Sequence, residues 1–119
     1  MDRKGDTVGW APAGGRFGFD GTGRFLEGIV ALAFGVRAEA LRAETRGRSP
    51  VAAARQVGMY LAHTRLHLRY EDAGAFFSRD RTTAAHACRR VEDRREDTSF
   101  DSLLDCLERA IDVWAGSSG

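Results

Sequence analysis

The residues best equipped for chemistry gather in one segment, FFSRDRTTAAHACRRV, at residues 76–91. If residues 80–94 form a helix, Ala84, Cys88 and Val91 make one narrow apolar stripe suited to a core. Thr82, Thr83, His86, Arg89 and Arg90 then lie towards the opposite side. That face offers small side chains, hydroxyls, an imidazole and guanidinium forks. Such a set fits the DNA major groove, where threonine methyls meet thymine methyls and arginine forks onto guanine. Asp80 is placed to cap the helix start, where recognition helices meet bases. A solvated arginine-rich helix is the competing explanation of the same pattern.

Other reactive groups point to little. His63 and His67 are four residues apart, a spacing able to hold zinc on a helix. HTRLH nevertheless lacks the glutamate of a zinc-protease motif and has no evident third ligand, so surface histidines are expected. Cys88 falls on the apolar stripe as a small core residue, and Cys106 falls off the stripe of its own segment. Asp80 and His86 have no serine nucleophile beside them. GGRFGFDGTGR is rich in glycine but lacks the Gly-Lys-Ser/Thr of a phosphate-binding loop. No enzyme and no cofactor are expected.

The elements that would position the segment read as helices throughout. RFLEGIVALAF (24–34) sets Phe25, Ile29, Leu32 and Ala33 on one face, and Gly35 ends it. VRAEALRAE is a short second helix, and TRGRSP a turn with Ser49 and Pro50 opening the next. A long helix is predicted from Val51 to about Leu68, then a short one over Tyr70–Phe77, the helix at 80–94, and a last one over Phe100–Trp114. In that last helix Phe100, Leu103, Leu104, Leu107, Ile111 and Trp114 recur at helical spacing. The fold class is all-α, a small helical bundle containing a helix-turn-helix. Residues 1–23 hold half of the fourteen glycines, which predicts a flexible arm before a single domain at 24–119. Trp10, Phe17 and Phe19 interrupt the arm, either packing loosely on the domain or forming a short partner-binding motif.

Composition agrees with a small soluble domain of 119 residues, 43% hydrophobic and 29% charged. No run reaches the ~18 apolar residues of a membrane helix. The net charge of +1 conceals a basic middle and an acidic end. Residues 37–95 carry thirteen arginines against seven acids, and residues 96–119 one arginine against six. A basic middle implies an anionic partner. The acidic stretch at 92–101 reads as a solvated turn and helix start, or as a device that repels DNA or docks a basic partner.

R-D-R-T-T-A-A-H-A-C-R-R-V resembles the signature of the DNA-binding domain of the bacterial replication initiator DnaA, G-R-D-H-T-T-V-x-H-A. A-R-Q-V-G-M-Y-L-A (54–62) is similar to that family's R-Q-x-A-M-Y-L-A helix, and L-R-Y-E-D-A-G-A-F-F (68–77) to its L-x-x-I-G-x-x-F segment. V-A-L-A-F-G-V and L-R-A-E-T-R (30–46) resemble its opening pair of short helices. The resemblance implies that Arg55 enters the minor groove and that Asp80, Thr82 and Thr83 read bases in the major groove. Arg81 stands where the initiator has a base-reading histidine. Ala87 matches the alanine that packs by a thymine methyl, and His86 a histidine near the backbone. Arg46, Arg48, Arg79 and Arg90 are expected phosphate contacts. The loop before Arg79 is one residue shorter than the initiator's.

Without a phosphate-binding loop, the expected use of such a domain is regulation. Short proteins of this R-D-R-T-T type resemble those of alphaproteobacteria, where activators of gene transfer agent genes carry the domain. The resemblance implies a transcription regulator, with competition for the initiator's origin boxes as the alternative and a protein-interaction adaptor as a third class. The expected partner is double-stranded DNA, joined by RNA polymerase, a co-activator or a DNA-bending protein on adjacent DNA. A monomer is expected, in the cytoplasm with the nucleoid.

Overall fold

The computed structural model describes residues 21–43 and 49–118. They form five α-helices and one 3-10 turn, with no strand among the described residues. No described helix is long and apolar enough to cross a membrane. The arm reading for residues 1–20, with Trp10, Phe17 and Phe19, lies outside the described residues, as do Arg46 and Arg48.

Helix α1 spans Thr22–Phe34 and ends at Gly35, whose φ of 67° lets Val36 N–H return to the Ala31 carbonyl at 3.0 Å. It starts two residues before the predicted position, because Thr22 and Gly23 are buried and the Trp114 indole donates to Thr22 Oγ at 3.3 Å. The core face also differs from the predicted one. Leu26, Val30 and Ala31 are buried, Phe25 and Ile29 only partly so, and Leu32 is 83% exposed. The helix is apolar almost all round, so periodicity alone could not select its buried side. Phe25 instead stacks on Trp114, with ring centroids 4.6 Å apart.

The second predicted helix is a single 3-10 turn, Ala38–Arg42. The Leu41 carbonyl accepts from the Arg55 guanidinium at 2.8 Å, and that of Ala40, which also takes the Ala43 amide at 3.2 Å, accepts from it at 3.2 Å. Helix α2, Ser49–Thr64, buries Ala54, Val57, Met59 and Leu61 along its length. It stops four residues short of the predicted end. The chain turns back there, with His67 at φ 62° and Leu68 N–H bonded to the Ala62 carbonyl at 3.1 Å. His63 is correspondingly not a simple surface histidine. Its Nδ1–H donates to the Leu68 carbonyl at 2.8 Å, and its ring stacks on Tyr70 at 4.1 Å. The pair His63 and His67 therefore does not share a helical face.

Helices α3, Tyr70–Phe76, and α4, Arg81–Arg94, lie against α2, and α5, Thr98–Ser118, closes the bundle beside α1. Asp97 starts α5 by accepting the Phe100 amide at 3.1 Å. Phe100, Leu104, Leu107 and Ile111 complete a single core shared by all five helices.

One charge sits awkwardly in this core. Glu27 on α1 is 3% exposed, and Arg42 Nε lies 2.9 Å from its Oε2 without hydrogen-bond alignment. Burial pushes its carboxyl above the usual value, against the opposing pull of Arg42 and Arg24. A raised folded value means that the group favours folding below the unfolded pKa and loses that contribution as pH rises through the folded one. Glu27→Gln cannot ionise, so its melting temperature relative to the parent should rise between pH 4 and pH 7. Thermal unfolding followed by circular dichroism across that range would show a flat or falling difference if the burial argument is wrong.

Candidate nucleic-acid interface

A short helix, a tight turn and a longer helix occupy residues 70–94. The turn is built around Gly74. Its carbonyl accepts the Phe77 amide at 2.9 Å and the Arg79 amide at 2.8 Å, folding the chain back over α3. A Cβ at residue 74 would lie 2.7 Å from the Asp80 carbonyl oxygen and 2.8 Å from that of Arg79. Only glycine admits so close an approach of backbone to backbone. Ser78, at φ 61°, makes the reversal in a left-handed conformation that its side chain disfavours. Phe77 then plunges inward, fully buried, and its ring fills the space left by Gly58 on α2, where a Cβ would stand 2.6 Å away.

The turn delivers Asp80 to the start of α4, where Oδ1 accepts the Thr83 amide at 2.8 Å. These hydrogen bonds from Thr83 hold the Asp80 carboxyl below the usual value, so the cap is ionised at neutral pH. From this start α4 buries Ala84, Ala87, Cys88 and Val91 against α2 and α3. Burial raises the Cys88 thiol to about 11, which leaves it an unreactive core group. Arg81, Thr82, Thr83, His86, Arg89 and Arg90 are all exposed.

The structure thus brings together Asp80, Arg81, Thr82, Thr83, His86 and Arg90 on one open surface at the head and outer side of α4. Arg89, which the pattern placed on this face without a role, joins them. Arg79 is half-buried beside them, with Nη1 donating to the carbonyls of Phe77 at 3.2 Å and Ser78 at 3.1 Å. Two residues are not brought to this surface. Ala87 is 2% exposed and faces the core, so its methyl is unavailable to a thymine in this conformation. Arg55 is 5% exposed and tied to the 3-10 turn, its pKa lowered by burial and then by the nearby Arg79 charge.

A second set of polar residues was missed by pattern reading. Arg95, just past α4, reaches Asp101, Asp105 and Glu108 of α5 and the Tyr60 hydroxyl of α2. The signal was present as acids at 101, 105 and 108, the i, i+4, i+7 spacing of one helical face. The acidic stretch at 92–101 is accordingly not solvated throughout, since Asp101 pairs with Arg95 at 2.5 Å. Among the described residues no group of three or more histidines, cysteines and carboxylates is arranged to hold a metal ion.

Compared with known families, residues 26–91 match the family described as bacterial dnaA protein helix-turn-helix. The match covers more than half of the chain and takes in the whole of α2, α3 and the turn, and α4 as far as Val91.

Two helical glycines provide a direct test of the turn geometry. A Cβ at Gly28 on α1 would meet nothing within 4 Å, whereas at Gly74 it would meet fixed backbone. Gly28→Ala should stabilise the domain by up to about 1 kcal/mol, the helix-propensity difference. Gly74→Ala should instead destabilise it by about 1–3 kcal/mol, the usual range for overpacking. Urea denaturation of both variants reads the signs, and equal signs would contradict the close approach.

Proposed function

Because this chain belongs to the bacterial DnaA helix-turn-helix family, whose domains are DNA-binding modules and not catalysts, we propose that it reads double-stranded DNA sequence-specifically and regulates transcription. The observation that carries this reading is the open head of α4, where Arg81, Thr82 and Thr83 are exposed behind a firmly capped first turn. A recognition helix needs that combination: a start rigid enough to define a pose, and side chains unoccupied by the protein's own core. Arg81, Thr82 and Thr83 then meet base edges in the major groove, and Asp80 stands beside them. Arg79, His86 and Arg90 lie towards the phosphates. Arg46 and Arg48, which precede α2 in sequence, are further candidates for phosphate contact by their charge.

Arg81 supports a site of its own for this protein. Where the initiator has a histidine, a guanidinium prefers the paired acceptors of guanine. The turn before it is also one residue shorter, which changes how the helix is presented. Both differences favour an operator distinct from the initiator's box, and so a regulator of transcription over a competitor at origins. Resemblance to the short activators of gene transfer agent genes favours activation over repression, with RNA polymerase, a co-activator or a DNA-bending protein as the further partner. A minor-groove contact by Arg55 would require its guanidinium to share or leave the Ala40 and Leu41 carbonyls. The geometry favours Arg55 as the tie that holds the 3-10 turn to α2.

Selection of the purified protein against randomised duplexes should enrich one compact motif containing a guanine. Affinity for it should fall steeply with salt as counterions are recaptured. Arg81→Ala should relax preference at one position at a cost of about 1–3 kcal/mol, while Arg90→Ala should weaken all sequences alike and reduce the salt slope by about 1. Preference unchanged in Arg81→Ala would remove the base-reading assignment. Enrichment of the initiator's own box would favour competition at origins, and no binding to duplex at low salt would favour a protein-interaction adaptor.

A further inference from the structure

The face that α4 turns to the core is made of small residues, Ala84, Ala87 and Cys88, with Val91 as its only branched side chain. Small side chains let α4 approach α2 and α3 closely, but they make shallow ridges. Interdigitation helps fix one helix against sliding or rotating on another, and along this face Val91 is the one branched ridge. α2 and α3 are the elements that α4 packs against most extensively, and polar contacts at its two ends add further constraint on its angle. The turn over Gly74 and the Asp80 cap hold the first end. The second end is held by Arg95.

Arg95 follows α4 directly, and its amide still bonds to the Val91 carbonyl at 3.1 Å. Its guanidinium, 16% exposed, lies 2.5 Å from Asp101, 3.1 Å from Asp105 and 2.9 Å from Glu108, all on α5. Nη1 also donates to the Tyr60 hydroxyl at 3.1 Å, and that hydroxyl donates to Glu92 on α4 at 3.0 Å. One side chain thus joins the end of α4 to both α2 and α5. Next to it, Arg94 lies 4.0 Å over the Phe100 ring at the start of α5. The family match ends at Val91, so Arg95 and α5 lie beyond the matched region.

We propose that Arg95 is a positioning residue for DNA reading, through which α5 and Tyr60 fix the angle of α4 and hence the sequence preference of the protein. This rests on the reading of α4 as the DNA-recognition helix. Arg95 does not touch bases in this account; it acts through the helix it anchors. Base readout depends on forked contacts that tolerate little misplacement, whereas attraction to phosphates is long-ranged and forgiving. Loosening the anchor should therefore damage discrimination before it damages binding.

The test compares the full chain with its Arg95→Met, Arg95→Lys and Tyr60→Phe variants, at a temperature where circular dichroism reports each as folded. Each is titrated with the best duplex from the selection and with a scrambled duplex of equal length. In Arg95→Met the ratio of the two affinities should fall about tenfold, the scale of one lost forked base contact, with scrambled binding nearly unchanged. Arg95→Lys should be intermediate, since an ammonium cannot fork among three carboxylates. Tyr60→Phe, which removes only one hydroxyl, should lower the ratio about threefold, as one lost hydrogen bond would. It also decides the matter if Arg95→Met does not fold. An unchanged ratio in the folded variants, or equal losses on both duplexes, would overturn the positioning role and leave Arg95 as scaffold alone. A parent chain that itself fails to distinguish the duplexes would remove the DNA reading first, and this role with it.

Discussion

The carbonyl of Gly74 accepts two amides of the turn that follows it, and the space beside it is taken by the carbonyls of Arg79 and Asp80. The rest of the interface depends on this contact. It brings Asp80 to where it can cap α4, sends Phe77 into the slot opposite Gly58, and points Arg81 and the two threonines outward. The constraint on residue 74 itself is steric. Any side chain at 74 would push the turn off α3, carrying the start of α4 with it. Nor does a glycine relax the reversal itself, because Ser78 holds a left-handed conformation there. The geometry is held by the bonds and the packing around it.

Charge is distributed with the same division between support and display. The middle of the chain is rich in arginine, yet much of that charge is engaged within the domain. Arg42 faces Glu27 at 2.9 Å, Arg69 binds Asp72 at 3.0 Å, Arg65 pairs with Asp112, and Arg55 and Arg95 are committed to carbonyls and carboxylates. Most of these pairs are partly exposed and contribute little stability singly. Arg95 differs, because several acceptors converge on one rigid fork and share its ordering cost. Among the described residues, Arg81, Arg89 and Arg90 of α4 are exposed and have no ion-pair partner. The basic charge of the middle segment that is free of ion pairs is therefore smaller than the sequence count suggests, and α4 carries these three exposed arginines of it.

The helices and their order were legible because each segment carries its own punctuation. Gly35, Pro50 and Asp80 mark boundaries by their chemistry, and the apolar spacing of 100–111 admits one buried face. The face of α4 was legible for a different reason, since its polar and small residues separate cleanly around the wheel. What the sequence could not convey were choices made by tertiary contact. The buried side of α1 is settled by Trp114, some ninety positions away and beyond any local pattern. The early end of α2 comes from His63 turning to the Leu68 carbonyl and the Tyr70 ring. Arg55 and Ala87 were assigned to DNA by resemblance alone, and whether such residues face outward depends on packing that a motif does not encode.

The two ends of α4 now have distinct physical characters. Its start is cationic and open, capped by a single exposed carboxylate that its own backbone occupies. Its far end carries Glu92, Asp93 and, beyond Arg95, Glu96 and Asp97, all exposed. On the proposed DNA reading, a duplex would be drawn to the first and, past Arg89, Arg90 and Arg94, repelled by the second, which favours head-first entry over a helix lying flat along a groove. Such entry would concentrate readout on the first turn, on Arg81, Thr82 and Thr83. It would also lengthen the lever between the bases and Arg95, so that a small rotation at that end would become a larger displacement at the other. A short recognition surface discriminates best when that rotation is suppressed. On the proposal made for Arg95, the polar contacts farthest from the bases therefore bear on which sequence is read.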